Sequence, residues 1–362
     1  MYVGQIILLL MLASLLAGAS FAIVAAFRIE PEGRAVWTAG ATGAVIAAVV
    51  LLLVSTRSLS FGVDTRAYAA LFEAWCAGQE LPDQGPSYDA AIYLLNFGML
   101  GACTPVLLPL SWAVLVLGLI LLAPEKRAHK AAFLGLLLFS LVGFELLTNA
   151  MRQSLSVGAA LIAVALYSRT KAGSALAAAV AALLHNSAAL VLAAAWGATF
   201  RWHWFLLGFL AVTLVIVVSL VTGNALILLE PLLYEIEKYL GHESDEIWIR
   251  LLAASCVLVA LGAPLLAASG KQGLQAIWTH PNYQVALRLA FTCIPFLAIP
   301  WFGYRYIYGV YPIVLWLSLL VGADVQPRSF GWQFGWTWAG NALILVGWSQ
   351  GASYMRLIPF YA

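Results

Sequence analysis

Long apolar runs separated by short polar stretches dominate the chain. They fall at Tyr2–Phe27, Trp37–Ser55, Pro105–Leu122, Ala131–Thr148, Gln153–Tyr167, Ala172–Phe200, Phe205–Thr222, Arg250–Ser269, Gln284–Trp301, Tyr304–Val321 and Trp332–Gln350. Most approach the roughly 20 residues a helix needs to cross a bilayer. They are apolar all round, without the two-residue alternation of a membrane β-strand. A spanning segment must also satisfy its own backbone groups, so helices are predicted. The expected fold is all-α: one polytopic integral membrane domain over residues 1–362, with about 10–11 transmembrane helices plus short re-entrant or interfacial ones.

Two polar regions interrupt this pattern. Residues 56–101 are expected to carry an exterior motif and then a short interfacial helix at Asp89–Leu100, with Pro82 and Gly85-Pro86 as turn residues. Residues 223–249 are expected to form an exterior amphipathic loop, acidic across Glu230–Glu246.

Composition sharpens the class. The chain is 63% hydrophobic and 9% charged, which no soluble domain of this length matches. Its net charge of +2 does not speak for nucleic acid or any other partner, so the position of each charge matters more. The first run has no Lys or Arg before it and is followed by Arg28 and Arg34. That reverses the charge order of a signal peptide and predicts an uncleaved helix with its N-terminus outside. The most basic loop, Glu125-Lys126-Arg127 with His129 and Lys130, is assigned to the cytoplasm, as are Arg169 and Lys171. Ala172–Phe200 is long for one crossing and is interrupted by His185-Asn186-Ser187. Either it crosses once at a tilt, or it breaks there and returns. The broken version puts Arg201, Lys271 and Arg328 inside and is preferred. The four cysteines show no metal spacing and read as apolar filler, with an exterior Cys76–Cys103 disulfide as the alternative for that pair.

Candidate chemistry centres on Asn149–Leu190. Two apolar segments flank the turn Ser168–Lys171, one with Arg152-Gln153 at its far end and the other with His185 along it. At about 1.5 Å per residue, Arg152 lies roughly 22 Å and His185 roughly 20 Å from that turn. Side by side, the two polar groups share one depth. Polar groups at such depth are costly and mark function by default. The bland readings are snorkelling for Arg152 and a satisfied interior histidine for His185. Glu145 counts to the same depth, either as a carboxylate partner of the imidazole or as a neutral buried acid.

Further candidates flank this stretch. Arg57, Gly62, Asp64, Arg66 and Tyr68 follow the second run; on a helix Asp64 and Tyr68 share a face, or Asp64 simply caps a juxtamembrane helix. Tyr304, Arg305, Tyr306, Tyr308 and Tyr311 form an aromatic set around one cation. This is either an interfacial belt or a wall that contacts sugar and phosphate. Arginines on the exterior side suit an anionic ligand, above all a pyrophosphate, because a guanidinium forks two phosphate oxygens. Nucleotide and metal motifs are absent from the sequence, so neither a cofactor nor a metal is expected.

Arg57…Gly62-Val63-Asp64-Thr65…Tyr68, then Met151-Arg152-Gln153-Ser154-Leu155-Ser156, Leu184-His185-Asn186-Ser187-Ala188 and Arg305 with its tyrosines occur in that order. Together they resemble the EpsG family of Wzy-like bacterial polysaccharide polymerases, from about residue 1 to residue 320. Ser156 departs mildly from the family's small residue, and the last third matches only through Arg305 and hydropathy. The resemblance implies a multi-pass enzyme of the bacterial inner (cytoplasmic) membrane with its active site facing the periplasm. It would transfer a growing glycan from undecaprenyl pyrophosphate to the terminal sugar of an incoming lipid-linked repeat unit. Arg57, Arg66, Arg152 and Arg305 would bind pyrophosphate. His185 or Asp64 would act as base, with Arg152 in the catalytic set, and Tyr68, Gln153, Tyr304, Tyr306 and Tyr308 would contact substrate. The implied partners are the lipid-linked oligosaccharide and the bilayer, with a chain-length regulator protein as a further candidate and no nucleic acid. An O-antigen-ligase-like transferase and a lipid-linked oligosaccharide transporter are the competing readings.

Overall fold

A computed structural model describes residues 3–28, 31–59, 63–80, 103, 120–148, 150–185, 187–222, 247–297 and 302–351. Among them every regular element is a helix. The interfacial helix expected at Asp89–Leu100, most of the crossing at Pro105–Leu122 and the acidic stretch Glu230–Glu246 lie outside the described residues. Three described helices are long and apolar enough to cross a membrane, within Gly33–Ser55, Ile247–Ala267 and Gly303–Val325, and a pair within 127–148, bent by 79°, is either a broken fourth span or a re-entrant loop. This is a multi-pass, all-α membrane protein.

α1 (Val3–Arg28), α2 (Pro31–Ser55) and α3 (Val63–Cys76) open the chain. α4 (Arg127–Leu138) packs lengthwise on α2. Its approach depends on small residues, because lipid tails offer no hydrophobic drive between helices and packing must supply the attraction. A methyl group on Gly43 would stand 2.3 Å from Ala131 O, and one on Gly135 would stand 2.3 Å from Gly43 Cα. Two backbones touch here. Gly135→Val is expected to lower stability by about 1–3 kcal/mol through overpacking; an unchanged unfolding midpoint in detergent would show that the two helices can part freely.

The run at Ala131–Thr148, predicted as one crossing, is instead α4 followed by α5 (Leu141–Thr148), bent by 79°. Ser140 makes the corner. Its hydroxyl donates to Leu137 O at 2.6 Å and accepts from the Gly143 N–H at 3.0 Å. Gly143 has no alternative, since a Cβ there would lie 1.9 Å from Leu137 O. Depth counted along a straight helix therefore misplaces Glu145, which is buried in α5 beyond the corner.

α6 (Met151–Leu166) and α7 (Lys171–Leu184) form an antiparallel pair joined by a turn where the Lys171 ammonium sits 3.3 Å over the Tyr167 ring. α8 (Ser187–Gly197) and α9 (Trp202–Thr222) follow. α10 (Ile247–Ala267) buries Ala253, Cys256, Val257, Ala260 and Pro264 along one stripe while Trp248, Leu251, Leu258 and Leu266 stay exposed, an inside-and-lipid pattern. α11 (Gly270–Thr279) follows, and the described part of the predicted crossing Gln284–Trp301 is divided between α12 (Pro281–Phe291) and a turn, α13 (Cys293–Phe296). The break falls at Thr292, whose hydroxyl donates to Leu289 O at 2.6 Å, just before Pro295. α14 (Phe302–Val325) is the central post, 89% buried along its most apolar stretch, and α15 (Phe330–Gly351) is the last described helix.

Cys76 and Cys103 form a disulfide with a Cα separation of 5.7 Å, which corrects their reading as apolar filler. Cys256 and Cys293 are free and buried, as that reading has them.

Candidate functional site

The pairing of α6 and α7 is fixed by two serines. Ser156 donates to Ala181 O at 2.8 Å and Ser174 donates to Ala163 O at 2.7 Å. Both follow one antiparallel register. Continued four residues past Ser156, it sets Arg152 opposite His185. The depth match predicted by counting residues is the one the helices adopt.

His185 ends α7, and the chain restarts as α8 at Ser187. α14 shows which way α8 runs. Gln153 Nε2 donates to Arg305 O, so Arg305 stands level with the start of α6. Gly309 lies one turn further along, about 6 Å deeper. A methyl on Gly309 would meet Val191 Cγ2 at 2.7 Å, so α8 descends from His185 beside α14. Ala172–Phe200 is thus the broken, returning version of the two predicted topologies.

This arrangement brings three helix starts to one level: α6 with Arg152 as its second residue, α8 just after His185, and α14 with Arg305 in its first turn. Each helix start presents the positive end of its backbone dipole and N–H groups with no intrahelical acceptor. Both guanidinium groups, Arg305 more than Arg152, lie close enough to act on the charge of the His185 ring. Both are half-buried. Two cations and three helix starts at one level are a combination whose charge suits an anion.

On the other side of His185, Nδ1 lies 2.7 Å from Ser187 Oγ and accepts the Ser187 backbone N–H at 3.2 Å. Ser187, which sequence reasoning named only as part of the motif Leu184–Ala188, is thus the residue that holds the imidazole at Nδ1. Its signal was present as a hydroxyl two residues after a histidine at a helix start.

Arg57 is not at this site. It is 4% exposed and donates to Val54 O at 2.9 Å, Thr65 Oγ1 at 2.7 Å and Thr148 O at 3.3 Å, while Thr65 Oγ1 donates to Thr148 O at 2.7 Å. The guanidinium ties the end of α2, the start of α3 and the end of α5 together, which corrects its reading as a pyrophosphate ligand. Burial lowers it to about 9, so it keeps its charge at neutral pH. Arg250, another cation not singled out, is buried at the start of α10 and donates to Leu297 O at 2.6 Å, steadying the approach to α14.

The other predicted residues divide. Asp64 is in the first turn of α3 rather than at its cap, and Arg66 on the same helix is exposed. Tyr68 is buried. Tyr306 stacks on Phe296 with ring centroids 3.9 Å apart and pairs its hydroxyl with Thr292 Oγ1 at 2.7 Å. Its ring and hydroxyl are both engaged inside the protein, and that corrects its reading as part of a substrate wall. Tyr304 and Tyr308 are buried with centroids 5.2 Å apart. The aromatic set belongs to the core around the central post. Among the described residues no group of three or more His, Cys, Asp and Glu side chains converges as metal ligands would.

In comparison with known proteins, the model of the EpsG family matches residues 43–328. No curated protein and no solved structure matches the chain.

Proposed function

The chain belongs to the EpsG family, and from that premise we infer that it is a membrane glycan polymerase with a lipid-pyrophosphate donor. The reaction is transfer of the growing glycan from undecaprenyl pyrophosphate to a hydroxyl on the terminal sugar of an incoming lipid-linked repeat unit. The C–O bond to pyrophosphate breaks, the new glycosidic bond forms, and the acceptor proton passes to a base.

One observation carries the reading: Arg152 and Arg305 stand in the first turns of two of the three helix starts that share the level of His185. The leaving pyrophosphate gains negative charge as its bond breaks. Preorganised guanidinium and backbone N–H groups stabilise such charge without reorganising. His185 is the base within this cluster. Arg66 and Asp64, on α3, remain candidates for the outer part of the donor or acceptor. The exterior face is supported by the Cys76–Cys103 bond, since disulfides persist in oxidising compartments. The periplasmic side of a bacterial inner membrane fits that chemistry, and a chain-length regulator protein would dock there.

Purified protein in lipid, given a lipid-pyrophosphate-linked repeat unit, is expected to produce a ladder of elongated products with and without a metal chelator. Tight binding of the repeat unit with no ladder, across several repeat units, would turn the reading toward transport.

A further inference from the structure

Arg152 and Gln153 are neighbours in sequence but face different helices. Successive residues of a helix point about 100° apart. Arg152 shares its face with Ser156, four residues on, whose hydroxyl donates to Ala181 O on α7. Gln153 shares its face with Val157 and Ala160, and these three border one apolar slot with Val191 of α8 and Gly309 of α14. One dipeptide at the start of α6 therefore addresses two flanking helices, α7 on one side and α14 on the other.

The Gln153 side chain is used inside the protein. It is 2% exposed, its Nε2 donates to Arg305 O, and its Oε1 is buried as well. No polar atom of the amide is left at the surface to meet a glycan or a phosphate. What the bond does hold is Arg305. That arginine is half-buried between the buried Tyr304 and Tyr306, in the first turn of α14, and helix ends fray. A bond from α6 to its carbonyl fixes the level of that turn against Arg152. A guanidinium presents a rigid planar fork, so a shift of the backbone beneath it misaligns both of its donors at once.

We propose that Gln153 is a positioning residue: it holds Arg305 in register with Arg152, so that both guanidinium groups meet one pyrophosphate. The inference rests on the reading of these two arginines as the pyrophosphate site. Gln153 then gives nothing of its own to the leaving group, and its whole effect on the rate passes through Arg305.

A double-mutant cycle, read as single-turnover elongation of a lipid-pyrophosphate-linked repeat unit, separates this role from a direct contact and from general loosening. Gln153→Met keeps the length of the side chain and removes the donor. It should lower the rate by about 10–100-fold, the cost of misplacing a reacting group by about 1 Å. In an Arg305→Ala background, itself slowed by about 10²–10³, the same substitution should add no further loss. Gln153→Asn keeps the amide one methylene short of the carbonyl and should behave as Gln153→Met does; if Gln153→Met does not accumulate, Gln153→Asn carries the cycle. Equal losses in the two backgrounds would overturn the proposal, because the glutamine would then act independently of Arg305. A wild-type rate for Gln153→Met would overturn it as well. Full elongation by Arg305→Ala alone would instead overturn the reading of the arginines as the pyrophosphate site.

Discussion

Arg152→Ala is expected to lower chain elongation by about 10²–10³, the usual cost of removing one preorganised donor from developing negative charge. The variant should remain in the membrane at normal abundance and unfold at the wild-type temperature. Arg152 is half-buried at a helix start, and Gln153, Ser156 and Ser174 all tie α6 to its neighbours whatever residue stands at 152. Arg152→Lys keeps the charge but not the fork, and should recover only part of the rate. The measurement is a pulse of lipid-linked repeat unit resolved by chain length, beside a thermal melt of the same preparation. Wild-type chain lengths in Arg152→Ala would remove the arginine from the reaction and leave it a snorkelling cation.

Arg57→Ala should fail differently. Its guanidinium holds the ends of three helices through Val54 O, Thr65 Oγ1 and Thr148 O. Each hydrogen bond to a charged group is worth about 1.5–3 kcal/mol. The loss should appear first as a lower unfolding temperature or poor accumulation, and activity should fall with it because Thr148 closes α5 just ahead of α6. Lysine, a single point charge, cannot span the three acceptors and should rescue little. A stable but inactive Arg57→Ala would return this arginine to the ligand set. The contrast between the two arginines separates binding from scaffolding in one experiment.

Sequence carried the helices and much of the site, for a physical reason in each case. Apolar runs near 20 residues mark spans because a bilayer tolerates little else, and α1, α2, α14 and α15 fall within a few residues of the runs that predict them. The level of Arg152 and His185 followed from rise per residue alone. What the sequence hid were corners and closures. Hydropathy does not register Ser140 and Gly143, yet one hydroxyl and one missing Cβ turn a predicted crossing through 79°. Arg57 and Arg152 look alike as letters, and only the acceptors around Arg57 separate them. The disulfide required two cysteines separated by 27 residues to meet, which spacing alone could not establish.

The seam of serines between α6 and α7 also sets which changes of length the chain can absorb. A residue added in the turn at 167–170 leaves the register of Ser156 and Ser174 intact and should be tolerated. The same residue added between Ser174 and Ala181 would carry His185 about 1.5 Å along and about 100° around its helix, out of line with Arg152. Homologous chains should therefore vary freely at that turn and hold a constant count from Arg152 to Ala163 and from Ser174 to His185. Alignment gaps, more than substitutions, would then trace the outline of the site.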